Sequence, residues 1–124
     1  MQYGKRDSEI GYKKLIAWQI SDEFAWSVYN LTDDFPKEEL FGLTSQLRRA
    51  VLSIPLNIVE GYARNSKNEF RRFLKISLGS LAEVGYLLDF ALRRKYISNK
   101  NFEEAIVLKE RCGQLIWKLM ISQK

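Results

Sequence analysis

For about a hundred residues the apolar side chains of this chain recur at steps of three and four, and only Pro36 and Pro55 interrupt them as prolines. That spacing is the helical period, and so few breakers leave helix as the natural reading throughout. Four segments emerge. The first spans residues 12–32, with Ala17, Ile20, Phe24, Val28 and Leu31 on one stripe. The second opens at Pro36 and reaches residue 63, through Leu40, Leu43, Leu47, Ala50, Val51, Ile54 and Ile58. The third carries Phe70, Phe73, Leu74, Ser77, Leu81, Val84, Leu88 and Ala91. The fourth carries Phe102, Ala105, Ile106, Leu108, Cys112, Leu115, Ile116 and Leu119.

Local signals punctuate these stripes. Pro36 suits a first helical position, with Glu38 and Glu39 at the positive end of the helix dipole. Ser66 followed by Glu69 reads as a capping box for the third segment, and Ser98 or Asn99 caps the fourth. Pro55 falls inside the second segment. It cannot donate to the Val51 carbonyl, so a kink is expected rather than two helices, and Asn57 is placed to bond a freed carbonyl. Gly79 and Gly85 imply close approach by a neighbouring helix, and Ser77, Gly79 and Ser80 form a patch of small residues. Short links between such helices predict an all-α, antiparallel up-down-up-down four-helix bundle over residues 12–121. Residues 1–11 are polar and expected to fray.

A second stripe on the first helix, Leu15, Trp18, Ala25, Trp26 and Tyr29, lies nearly opposite the core stripe. A helix apolar on two sides is expected to sit between its own core and another surface. Leu15, Trp18, Trp26 and Tyr29 are therefore candidate oligomer contacts.

Charge narrows the function. The net charge is +5. Between residues 48 and 75 lie seven bases, Arg48, Arg49, Arg64, Lys67, Arg71, Arg72 and Lys75, against two acids, Glu60 and Glu69; that difference equals the whole excess. A hairpin of the second and third helices is expected to gather these bases at one end, as a surface for RNA or DNA. Arg71, Arg72 and Lys75 point to different sides of their helix, so one contact within a monomer cannot use all three.

What the chain lacks is equally informative. It has no histidine and one cysteine, Cys112. That removes the usual general base, the paired nucleophiles and the commonest metal ligand. Glu60 and Glu83 have no partner for catalysis and are expected to pair with Arg48 or Arg49, holding the second and third helices together. No enzyme activity, metal, cofactor, small-molecule substrate or membrane span is expected. The first ten residues lack the apolar core of a secretory leader, and the lone cysteine suits a reducing cytoplasm.

Residues 35–50 (FPKEELFGLTSQLRRA), 53–61 (SIPLNIVEG) and 69–83 (EFRRFLKISLGSLAE) resemble the signature of the 23S rRNA-intervening-sequence proteins, a bacterial four-helix-bundle family. Residues 12–19 resemble its opening. Leu56 and Val59 stand where the family favours alanine, and Gly85 and Tyr86 depart from its more polar pattern; these changes bear on packing and on the oligomer contact. The resemblance implies a homo-oligomer, typically a five-membered ring. It also implies a fold similar to the accessory variability protein of diversity-generating retroelements, a basic pentamer that binds nucleic acid and a reverse transcriptase. Two functions follow as expectations: nucleic-acid binding without catalysis, or a scaffold or accessory subunit for a protein partner such as a polymerase or reverse transcriptase.

Overall fold

A computed structural model describes residues 11–123. The expected fraying of residues 1–11 falls, but for Gly11, outside that range. The described residues form four α-helices: α1 (Ile16–Thr32), α2 (Leu43–Ala63), α3 (Lys67–Arg93) and α4 (Asn99–Ile121). Among the described residues there is no strand. Helix α1 packs on α2 and α4, and α3 packs on α2 and α4; the backbones of the diagonal pairs stay farther apart. Four helices thus close around one core. Phe24, Leu47, Ile54, Ile58, Leu74, Leu88 and Ile116 are fully buried in it. Each contributes roughly 1.5–3 kcal/mol by leaving water.

The helix ends refine the expected boundaries. Gly11–Lys14 is a 3-10 turn, so α1 begins only at Ile16. Lys37–Glu39 is a second 3-10 turn rather than the first turn of α2. Gly42 intervenes, and Leu40, expected on the core stripe, is half exposed. The start of α2 is held by Glu39, whose Oε1 accepts from the Leu43 amide at 3.1 Å. Its Oε2 accepts from the Tyr96 hydroxyl at 2.9 Å, tying α2 to the α3–α4 turn. Those two bonds, with the nearby Arg94 guanidinium, hold the Glu39 carboxyl below the usual carboxylate range.

Ser66 caps α3 by accepting from the Glu69 amide, at 3.3 Å, and Ser98 caps α4 by accepting from the Asn101 amide, at 3.1 Å. The Glu69 carboxylate turns to Arg72 instead of completing a capping box. Lys95 ends α3 in the left-handed region (φ 66°), and the Tyr96 amide bonds the Ala91 carbonyl across it.

Pro55 sits inside one continuous α2, as expected. Asn57, however, donates to the Ser53 carbonyl at 2.7 Å and to the Ser53 hydroxyl at 2.9 Å, not to Val51. The Ser53 and Ser80 hydroxyls meet at 2.7 Å, and Ser77 donates to the Ile54 carbonyl at 2.9 Å. Serine hydroxyls therefore stitch α2 to α3 beside the proline. The two expected glycines differ. Gly79 has open space around it, against expectation, whereas at Gly85 a neighbouring helix does come close, through the Lys109 side chain of α4. The tightest packing against the core is at Gly61, where an added Cβ would lie 2.8 Å from Phe73 Cβ and 2.9 Å from Phe70 Cδ1. Gly61 lies on the core stripe, three residues after Ile58, and that register was the signal for it.

Candidate nucleic-acid interface

The α2–α3 turn reverses the chain in three residues. Asn65 adopts a left-handed conformation (φ 55°), which asparagine tolerates better than most side chains. Arg64 precedes the turn, and Lys67, Arg71, Arg72 and Lys75 follow on the first turns of α3. Five bases against one acid, Glu69, leave +4 of the chain's +5 in residues 64–75.

These side chains surround an aromatic floor. The Arg64 and Arg72 guanidinium carbons lie 5.1 and 4.5 Å from the centre of the buried Phe73 ring. Tyr62 meets Phe70 edge-on, with centroids 6.0 Å apart. Arg72 also donates to both Glu69 carboxylate oxygens, at 3.0 and 3.2 Å. That pair lowers the Glu69 carboxyl and raises the Arg72 guanidinium from their ordinary values. Both partners remain well exposed, so the pair adds little stability. Arg71 reaches the other way, to the Asn68 side chain at 3.4 Å and the Gln123 carbonyl at 3.5 Å near the end of α4. Lys75 is exposed and forms no ion pair among the described residues. The divergence expected for Arg71, Arg72 and Lys75 is present.

Two expected members do not join this group. Arg48 and Arg49 lie in the first turns of α2, sixteen and fifteen residues before Arg64. At 1.5 Å per residue that is about 24 Å along the helix. Arg48 joins α1 to α2: its Nε donates to Thr32 Oγ1 at 2.8 Å, its Nη2 pairs with Asp33 at 3.0 Å, and it stacks over Tyr29. Arg49 is exposed beside Phe41, Tyr86 and Phe90. Nor do Glu60 and Glu83 pair with them. Both carboxylates are exposed and lack an ion pair among the described residues. The serine seam, not a salt bridge, couples α2 to α3.

The second stripe on α1 also divides. Trp18 is buried in its own chain and packs edge-on against Tyr12 at 5.0 Å. Leu15 and Tyr29 are half-buried against the core. Trp26 is the member left open, 61% exposed. An aromatic side chain on this stripe can reach sideways over the core edge, which the 100° projection does not capture.

No group of three His, Cys, Asp or Glu side chains among the described residues could hold a metal ion. Cys112 is fully buried, and burial pushes its thiol up to about 12. It stays protonated and packs as a small apolar side chain. No helix among the described residues is long and apolar enough to cross a membrane.

Residues 13–118 match the profile of the 23S rRNA-intervening sequence proteins. The chain belongs to that family. It is similar to a crystal structure, at 1.70 Å resolution, of a protein of unknown function from the S23 ribosomal protein family of Bacteroides thetaiotaomicron. The two are 26% identical, with a TM-score of 0.78 over 85% of this chain and 95% of the other. No curated protein matches the chain. In this family member, then, the motif that marks residues 35–83 encodes the α2–α3 pair: its serines form the seam, Gly61 the close approach, and Arg71, Arg72 and Lys75 part of the basic end.

Proposed function

We propose that this family member is a non-enzymatic, cytoplasmic nucleic-acid-binding protein: an up-down-up-down bundle, assembled as a homo-oligomer, that grips the phosphates of RNA or DNA at its α2–α3 end. The observation that carries the reading is the gathering of Arg64, Lys67, Arg71, Arg72 and Lys75 around one turn, with only Glu69 opposing them. Guanidinium groups bind phosphate oxygens through two parallel N–H donors, and each contact releases counterions, so binding is salt-sensitive and indifferent to sequence. Arg64, Arg71 and Lys75 would contribute most, because Arg72 is already partly neutralised by Glu69. Repetition of the patch in an oligomer, a pentamer by family resemblance, multiplies its field.

Fluorescence anisotropy with a labelled single-stranded RNA and a DNA duplex tests this. Charge reversal of Arg71 and Lys75 together is expected to weaken binding more than tenfold and to flatten the salt slope by about one per lost phosphate contact. Arg48→Ala, which lies outside the patch, is expected to leave affinity unchanged. Binding that ignores salt, or that survives the double reversal, rules the site out.

A second reading, a scaffold for a partner protein, draws support from the exposed Trp26, Phe41 and Tyr86. A wild-type chain that binds neither probe would favour it.

A further inference from the structure

Phosphate contacts at the α2–α3 end use its charges and leave the bases of a nucleic acid untouched. The aromatic rings beneath those charges are closed to a ligand: Phe70 and Phe73 are buried, and Tyr62 is half-buried against Phe70. An open ring stands beside them on α4, with no part in the phosphate grip. Trp117 is 54% exposed.

Three contacts fix the register of α3 against α4. The Arg71 guanidinium reaches the Gln123 carbonyl at 3.5 Å, Leu81 faces Gly113, and Lys109 faces Gly85. The helices thus run antiparallel, one residue back on α4 for each residue forward on α3. Trp117 lies at the level of Ser77, and Lys75 is two residues, about 3 Å, from that level along the axis. Direction agrees with height. Trp117 follows Gly113 by four residues, so it projects from the flank of α4 that meets α3. Lys75 follows Arg71 by four residues, so it projects from the flank of α3 that meets α4. Trp117 and the exposed Lys75 therefore border one groove, with Arg71 towards its end.

The surroundings of this groove carry one sign of charge. Residues 70–82 of α3 hold Arg71, Arg72 and Lys75 and no acid; residues 111–123 hold Arg111 and Lys118 and no acid. On α4 the first acid before Trp117 is Glu110, seven residues or about 10 Å away, and it lies 3.9 Å from Lys109. On α3 the first acid before Arg71 is Glu69, which is bound to Arg72. A single exposed apolar side chain is ordinary on any surface. A flat aromatic face set among bases, with no free acid beside it, is the combination from which sites for single-stranded nucleic acid are built.

We propose that this end of the bundle takes a single strand: an unpaired base stacks on the Trp117 ring while Arg71 and Lys75 hold the phosphates that flank it. The proposal rests on the phosphate-binding reading and names the form of nucleic acid that the site serves. A duplex keeps its base faces inside the stack and offers Trp117 nothing but phosphates and sugars. An unpaired base offers a π-face whatever its identity, so stacking adds affinity without adding sequence preference. Arg111 and Lys118 lie off the groove, towards the α1 side of α4, and act on the strand through their field rather than by contact.

Fluorescence anisotropy with three labelled DNA probes of equal strand length tests the stacking: a thymidine-only strand, the same strand paired with its adenosine complement, and a strand that lacks its bases. Far-ultraviolet circular dichroism checks that the helices persist in each variant. Wild type is expected to bind the thymidine strand more tightly than the base-free strand. Trp117→Ala is expected to weaken the thymidine strand about five- to hundredfold and to leave the duplex and the base-free strand unchanged. The salt slope is expected to stay as in wild type, since no phosphate contact is lost. Trp117→Phe keeps a ring and is expected to retain most of the affinity. A thymidine affinity that Trp117→Ala does not change, or equal wild-type affinity for the thymidine and base-free strands, would overturn the stacking and leave the phosphate reading standing. A loss of equal size on all three probes would also overturn it, because Trp117 would then shape the basic surface rather than meet a base. A wild-type chain that binds none of the probes would overturn the phosphate reading and this proposal together.

Discussion

At its C-terminal end α2 presses Gly61 against Phe70 and Phe73 and gives way to five bases within twelve residues. At its N-terminal end it starts at Gly42 beside a bare Phe41, and its outer face passes through Leu52 and Leu56 with little charge. Both ends use the same apolar residue types. The difference lies in what covers them. Near Gly61 the cover is α3 of the same chain, so apolar contact is closed and charge is free to face a ligand. Near Phe41 the described residues supply no cover, and the aromatics face outward. An amphipathic pattern says that a side chain prefers burial. It does not say whether its own chain or another buries it.

Ile58 and Leu56, two residues apart, break or sharpen this contrast most strongly. Ile58 is fully buried, and Ile58→Ala is expected to cost about 2–5 kcal/mol. Leu56→Ala is expected to stay within about 0.5 kcal/mol for the isolated chain. Urea unfolding at two protein concentrations separates folding from assembly. A large loss for Leu56→Ala at the lower concentration would mean that its face is covered within the chain after all.

Two glycines give the next effect. Gly61→Ala drives a Cβ against Phe73 Cβ and Phe70, and overpacking of that kind costs about 1–3 kcal/mol. The gain in helix propensity of about 1 kcal/mol offsets only part of it. Gly79 has nothing within 4 Å, so the same substitution there is expected to stabilise by about 0.5–1 kcal/mol. Opposite signs in urea unfolding are the expected outcome. Equal signs would mean that the Gly61 contact relaxes freely.

These residues also show what was legible in the sequence. The core stripes of α2, α3 and α4 were, because burial repeats with the helix period; Leu81, Val84, Leu88, Cys112 and Ile116 are where the pattern puts them. The caps at Ser66 and Ser98 were legible because capping is local chemistry. The basic end was legible in part. Sequence proximity grouped Arg48 and Arg49 with Arg64, while the rise of a helix separates them. The roles of Gly61, Gly79 and Gly85 were not separable in advance, since only the facing helix decides whether a glycine is crowded. Trp18 and Trp26 differ for a similar reason. Both lie on one projected stripe, yet one ring folds over the core edge and the other does not. Pairing of Glu60 or Glu83 with arginine was not legible, because opposite charge alone carries no direction.

The smallest effect concerns how the loosely covered end is held. Glu39 joins the Leu43 amide to the Tyr96 hydroxyl, so the start of α2 depends on one half-buried carboxylate rather than on a close helix contact. Its folded pKa lies below the reference value of 4.5, chiefly through the Leu43 amide, then Tyr96 and Arg94. A carboxylate favoured in this way adds stability that is fully present above its unfolded pKa and is lost as pH falls through the lower folded value. Glu39→Gln keeps a carbonyl acceptor but removes the charge. The variant is therefore expected to be slightly less stable than wild type at pH 7, and the gap is expected to shrink as pH drops below 4.5. At the Gly61 end no such carboxylate holds the packing, so Gly61→Ala is expected to keep its deficit across the same range. Urea midpoints at pH 7, at the reference value and about one unit lower decide it. A gap for Glu39→Gln that persists unchanged into acid would show that the carboxylate is not what holds this end, and that the α3–α4 turn is carried by its packing on Phe35, 5.5 Å from the Tyr96 ring centre.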